Sequence, residues 1–243
     1  MSYYFQGFPT IQYNLEDESH SIEVVDIFRT VKPKQSLKDD ILLYNKYTIQ
    51  DGERPDHVSQ KLYGTPDYYW TFFMVNESMT NVFTDWPLSR KEIQDYVTIK
   101  YPGFVLKTND DIETKFTQNE IVQGLLSGTK AKLVSKDANT NTLRIVDEDG
   151  EFSPGEIIQG LTSGDTCSIT IQTEFYNATK YYIDGEGNVV GKTYIGLTPS
   201  SPVTYLEHEL EKNDKKAEIT VIRPQYITRV SEEFFKQINP EVE

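Results

Sequence analysis

Hydrophobic and polar positions change rhythm several times along the chain, and the clearest stretch is 41–101. Tyr44, Tyr47 and Ile49 fit a strand that stops at Asp51-Gly52, a turn pair. Pro55 suits the first position of a helix, where no amide donor is needed, and Val58 and Leu62 follow one turn apart. Gly64 is a left-handed stop. Thr65 as cap, Pro66 as opener and Asp67 at the positive end of the dipole then start a second helix. Its body, Tyr68 to Val75, is apolar nearly all round, which predicts burial on more than one side with Trp70 and Phe73 in the core. Near Ser89 a third helix is predicted. Ser89 and Glu92 form a capping box, Leu88 and Ile93 the matching hydrophobic staple, and Ile93, Tyr96 and Val97 one apolar face.

The next stretch repeats itself. Phe116-Thr117-Gln118-Asn119-Glu120-Ile121-Val122-Gln123-Gly124-Leu125-Leu126-Ser127-Gly128 returns as Phe152-Ser153-Pro154-Gly155-Glu156-Ile157-Ile158-Gln159-Gly160-Leu161-Thr162-Ser163-Gly164. Phe, Glu, Ile, Gln, Gly, Leu, Ser and Gly recur in register, and alternating apolar positions (Ala131, Leu133; Cys167, Ile169, Ile171) follow each Ser-Gly turn. Two copies do not make a solenoid, so the pattern predicts a small all-β barrel or sandwich of two related halves, inserted into the surrounding sequence.

The ends read differently. Residues 1–40 form an arm in which Phe5, Phe8, Ile11 and Tyr13 are scattered among Gly7, Pro9 and Asn14, followed by acidic Glu16-Asp17-Glu18, apolar Ile22 to Phe28 and Lys32-Pro33-Lys34. It packs on the rest of the chain or on another chain. Beyond the repeat, Lys180–Ile183 and Val189-Val190 flank a turn at Asp184–Asn188 and predict a hairpin. Pro199–Pro202 reads as a linker and Ala217–Ile222 as a strand. Pro224 opens a helix in which Ile227, Val230, Phe234 and Ile238 share one stripe. The domain reading is therefore 1–40, 41–101, 104–175 and 176–243.

Composition narrows the function classes. Among 243 residues, 24 Lys and Arg stand against 38 Asp and Glu, a formal charge of −14. That argues against nucleic-acid binding, which rests on cationic groups releasing phosphate counterions, and against docking on an anionic membrane. No apolar run approaches the roughly 20 residues of a membrane span, and the N-terminus lacks the basic and apolar regions of a signal peptide. The lone Cys167 excludes an internal disulfide, and one cysteine with three histidines argues against a Cys/His metal site. His20, His57 and His208 each stand alone, with no nucleophile motif nearby. Asp147-Glu148-Asp149-Gly150 lacks the downstream Glu of a calcium loop and reads as a solvated turn. The aromatic run Tyr68–Phe73 reads as core rather than as a sugar platform. Neither a catalytic set nor a cofactor is expected.

One string carries a resemblance. Tyr47-Thr48-Ile49, Asp51-Gly52, the helix to Leu62-Tyr63-Gly64, a second helix and Asn76 resemble a LysM domain. The fuller pattern, Gly52-Glu53-Arg54-Pro55-Asp56, Leu62-Tyr63-Gly64-Thr65-Pro66, Tyr69-Trp70, Asn76 and Trp86-Pro87-Leu88-Ser89, resembles the LysM-like baseplate wedge proteins of contractile-tailed bacteriophages. Phe8–Tyr13, Val25–Arg29 and the end from Glu211 to Pro224 agree with it. The resemblance implies an α+β fold: a LysM-like strand–helix–helix–strand unit with an inserted small all-β repeat module and extended terminal segments.

It also implies a non-enzymatic structural subunit of the virion tail baseplate, assembled in the host cytoplasm, which helps wedges close into a six-fold ring around the hub. Its partners would be other wedge subunits and neighbouring wedges or hub. The candidate partner-binding residues are Phe8, Ile11, Tyr13, Ile27 and Phe28 of the arm and Ile227, Val230, Phe234 and Ile238 of the last helix. Gly52, Glu53, Arg54 and Asn76 mark a vestigial glycan groove. Glu53-Arg54-Pro55 replaces the Asp-Thr-Leu type of loop found in glycan-binding LysM domains, which argues against glycan affinity. A peptidoglycan-binding module is the alternative reading, and a cell-wall hydrolase a more distant one.

Overall fold

Among the described residues, strands outnumber helices. The computed structural model describes residues 3–14, 21–29, 41–191 and 200–239. The acidic run 16–18, His20, the basic stretch 32–34 and Pro199 lie outside the described residues. In order come strands β1 (Thr10–Asn14), β2 (Ser21–Val25) and β3 (Tyr44–Thr48), then helices α1 (Pro55–Tyr63), α2 (Trp70–Val75) and α3 (Arg90–Lys100). Strands β4 (Phe104–Thr108), β5 (Ile121–Gly124), β6 (Lys130–Asp137), β7 (Thr142–Val146), β8 (Ile157–Gly160) and β9 (Thr166–Glu174) follow. The chain continues through β10 (Thr179–Asp184), β11 (Val189–Val190), β12 (Ser200–Thr204), helix α4 (Tyr205–Asp214), β13 (Glu218–Ile222) and helix α5 (Pro224–Ile238). These elements group into two compact units, one made of the residues up to Arg90 with those from Asn213 onward, the other of Lys91–Lys212.

In the first unit β3 pairs antiparallel with β13, from Tyr44 opposite Ile222 to Thr48 opposite Glu218. This overturns the α+β expectation of a LysM-like strand–helix–helix–strand unit at 41–101. Within that stretch the helices are followed by an irregular segment and α3, and the strand beside β3 arrives from the far end of the chain. The fold is mostly β, with a closed six-stranded antiparallel barrel as its largest sheet. Local spacing reports that a strand forms, not which strand will pair with it. Here Ile219 and Val221 alternate inward and join Ile49, Val58, Phe72, Met79 and Trp86 in one buried cluster.

Helix α1 starts at Pro55 and stops at Gly64, whose φ of +78° and N–H bond to the Gln60 carbonyl make a left-handed cap. The aromatic stretch then divides into two elements. A single 3-10 turn, Pro66–Tyr68, precedes α2, and Thr65 caps it by accepting the Asp67 N–H at 3.4 Å. Buried Ser59 holds the junction. Its hydroxyl donates to the Thr65 carbonyl at 2.7 Å and accepts the Tyr68 N–H at 3.2 Å. Trp70 and Phe72 are buried, whereas Phe73 is half-buried at the edge of the cluster.

In the second unit the repeat closes into a barrel of strand order β4-β7-β6-β5-β8-β9, all neighbours antiparallel and β9 returning to β4. Exchanging β4 with β7, β5 with β8 and β6 with β9 reproduces the same circular order. The barrel thus has an internal two-fold relation. It passes through the β5–β8 pair, where Gln123 lies opposite its own repeat equivalent, Gln159. The interior is filled by Leu106, Ile112, Phe116, Val122, Ala131, Leu133, Leu143, Ile145, Phe152, Ile158, Cys167 and Ile169. Burial pushes the Cys167 thiol pKa up to about 11, so it behaves as a core side chain. Beyond the barrel, β10 pairs with β11 and with β12. The expected linker is corrected here, since Ser200–Pro202 lies within β12. Helix α4 is held to α3 by Glu209, which accepts from Lys100 at 3.1 Å and from the Tyr101 hydroxyl at 2.7 Å.

Candidate interaction surfaces

The arm is a two-stranded hairpin, Thr10 opposite Val25 through Asn14 opposite Ser21. A two-stranded ribbon has too little core to hold itself, so its root must be tied down. Phe8 and Tyr4 supply the root. Phe8 is buried with Trp70, Phe234 and Ile238, and the Tyr4 ring lies 5.3 Å from that of Trp70. Gly7 permits the approach, because a Cβ there would stand 2.5 Å from a ring carbon of Phe235. Beyond this anchor the apolar side chains are bare. Ile11, Tyr13, Ile22, Val25 and Ile27 are exposed, and Phe28 is 84% exposed.

The last helix is placed differently. Ile227, Val230, Phe234 and Ile238 are all buried against their own unit. Ile227 and Val230 join Ile222, and Phe234 and Ile238 join Phe8 and Trp70, with the Phe234 and Trp70 ring centroids 4.5 Å apart. The stripe read from the sequence is therefore covered within the chain, and the two halves of the candidate set part company. Ile11, Tyr13, Ile27 and Phe28 lie open, while Phe8 and the helix stripe serve the core. Beside the helix, Gly7, Tyr68, Ser231, Glu232, Phe235 and Lys236 line a groove of about 630 Å³.

The positions of the supposed glycan groove are occupied with internal work. Gly52 is the turn glycine, with φ +74°. Glu53 accepts from the Tyr47 hydroxyl at 2.7 Å, the Gln50 N–H at 2.9 Å and Lys61 at 2.8 Å. Burial alone would raise its pKa, but these donors outweigh it and hold the carboxylate below its ordinary range. The Glu53 carbonyl accepts the Trp86 indole N–H at 2.7 Å. Arg54 is exposed and pairs with Asp56 at 3.1 Å. Asn76 donates to the carbonyls of Phe72 at 2.7 Å and Thr220 at 2.8 Å and accepts the Thr220 N–H at 2.9 Å, tying α2 to β13. Both ends of its amide are engaged, leaving Asn76 a structural latch.

No group of three or more His, Cys, Asp or Glu among the described residues is arranged to hold a metal ion. No described helix is long and apolar enough to cross a membrane. His208 in α4 meets the Tyr181 hydroxyl at 3.0 Å, and burial together with Lys180 and Lys212 lowers its pKa.

A family model described as base plate wedge protein 53 matches residues 3–124, half of the chain. The chain belongs to this phage baseplate wedge family. No curated protein sequence matches it. Membership in the wedge family gives it a structural role in the phage tail baseplate. The match takes in the whole arm hairpin, α1 to α3 and the first two barrel strands, and it ends at Gly124, inside the first repeat. Sequence reading missed the bare apolar residues on the barrel's outer face, Ile121, Leu125, Leu126, Ile157 and Leu161. The signal was present in the repeat itself, where apolar residues occupy alternate positions on both sides of the strand.

Proposed function

We propose that this wedge-family chain joins baseplate wedges to one another around the tail hub by protein–protein contact, and that the arm hairpin makes the contact. The observation that carries this reading is the contrast within the arm. Its root is locked by Phe8 against Trp70 and Phe234, while Ile11, Tyr13, Ile27 and Phe28 beyond it are exposed. Exposed apolar side chains gathered on one ribbon mark a surface that another protein covers. The two-stranded hairpin gains support from such a partner, which adds buried area or pairs with an edge strand.

The experiment mixes the chain with the other wedge proteins and counts closed rings by electron microscopy. Ile27→Asp with Phe28→Asp changes only exposed side chains, so the variant should keep the parent's circular dichroism spectrum and melting behaviour. Loss of rings from a variant shown to be folded supports the reading. Normal ring yield removes the arm from wedge joining.

A further inference from the structure

The outer face of the β5–β8 pair carries a small array with internal symmetry. Along β5, Ile121, Gln123 and Leu125 point outward; along β8, Ile157, Gln159 and Leu161 do the same. Gln123 is opposite Gln159. The Leu161 N–H donates to the Ile121 carbonyl at 2.8 Å and the Leu125 N–H to the Ile157 carbonyl at 2.9 Å, so those residues are cross-strand neighbours too. Four bare aliphatic side chains thus frame a central pair of glutamines. Leu126, 77% exposed, extends the patch at its rim.

We infer that this face is a docking surface for a second copy of the same chain. The array repeats its own pattern about a two-fold axis, so a second copy presents a surface that matches it at every position. Turned over about an axis parallel to the strands, a second array sets Ile121 over Leu161, Leu125 over Ile157 and Gln123 over Gln159, so aliphatic groups meet aliphatic groups and amides meet amides. The flanks choose this orientation. Lys130 and Lys132 of β6 border the array on one side, Thr166 and Ser168 of β9 on the other. Rotation about the strand direction lays lysines over hydroxyls, whereas the perpendicular rotation stacks lysine on lysine. Size agrees with a weak pair. Five exposed aliphatic side chains per copy, Leu126 at the rim included, make a small contact that falls at the low end of specific interfaces. The array has no charged side chain, and each chain carries a net −14, so added salt should tighten the contact by screening repulsion.

The test is sedimentation equilibrium of the full chain at rising concentration and at two salt levels, with Leu125→Asp and Ile157→Lys as exposed-site variants. The expected result is reversible dimerisation up to about 100 μM, strengthened by salt. Each variant alone should weaken it by roughly tenfold or more. Mixing the two should restore association, because the stacked geometry puts residue 125 of one copy over residue 157 of the other. A wild-type chain that stays monomeric, a dimer indifferent to both variants, or two variants that do not rescue each other would overturn the proposal. A monomeric parent whose variants lose a different wedge protein would give the surface to that protein instead.

Discussion

The carboxylate of Glu120 accepts the hydroxyl of Ser163 at 2.9 Å, although the two belong to opposite copies of the repeat. The same carboxylate takes the N–H groups of Thr162 at 3.1 Å and Ser163 at 3.0 Å, as well as that of Thr117 in its own copy. Glu156 returns the arrangement, accepting from the Leu126 and Ser127 N–H groups, the Ser127 hydroxyl and the Ser153 N–H. Each half of the barrel therefore closes the turn of the other. Gly124 and Gly160 make room for this, since a Cβ at either would stand 2.5 Å from the opposing carboxylate. The recurrence of Glu and Gly in both copies follows from one geometric requirement.

Removing Glu120 strands several donors at once. Glu120→Ala should destabilise the chain by about 2–4 kcal/mol, because hydrogen bonds to a charged group are worth more than neutral ones and buried donors left alone add a penalty. Ser163→Ala removes one of those donors and should cost less, about 1 kcal/mol. Urea denaturation of both variants measures the difference, and equal losses would show that the carboxylate is not the organising group.

The same pair sets an acid limit. Burial raises the pKa of each carboxylate, but the surrounding N–H and hydroxyl donors outweigh it, and both Glu120 and Glu156 sit below the ordinary value. A group whose folded pKa is depressed stabilises the fold above its unfolded pKa and loses that contribution as pH falls through the folded value. Stability should therefore be level near neutrality and decline below about pH 4.5, the ordinary carboxylate range. In Glu120→Gln with Glu156→Gln this part of the slope should flatten, which chemical denaturation across pH 3–7 would reveal.

Trp70 and Phe234 pack ring against ring, tilted by 33°, in the anchor of the arm, whereas Phe73 is half-buried. Phe234→Ala should cost about 3–5 kcal/mol through the cavity it leaves, and Phe73→Ala clearly less. Thermal melts rank them, and a reversed order would contradict the packing.

Gly7 predicts an effect on the arm separate from global stability. Gly7→Ala sets a methyl group against the Phe235 ring and should loosen the arm while α1 and the β3–β13 pair stay folded. Hydrogen exchange should show faster labelling at Thr10–Asn14 and Ser21–Val25 without a matching change at Tyr44–Thr48. Unchanged exchange in the hairpin would mean the ring simply rotates aside.

Much of the local structure was legible because its causes are local. Pro55 and Gly64 bound α1 through missing and left-handed backbone options, and the spacing of Ile227, Val230, Phe234 and Ile238 fixed a helical face. The repeat announced two related halves. Less visible was any event involving distant residues. Ser59 splits the aromatic stretch by bonding across the Thr65 turn, and Ser200–Pro202, which looked like a linker, gains strand character only from β10 beside it. Of the candidate site, exposed and core apolar residues were indistinguishable in sequence. Phe8 and Phe28 are the same residue type in the same arm, and only Trp70 and Phe234 around the first decide that one is buried.

By itself, then, the sequence determined the element starts and stops, the two-copy repeat and the acidic, cysteine-poor chemistry, since each depends on a residue's own backbone preference or charge. Tertiary structure alone decided that β3 pairs with β13, that the last helix covers its own unit, and that Glu120 reaches Ser163. Pairing and burial are relations between distant residues, and many partners satisfy the same local pattern until the whole chain is packed.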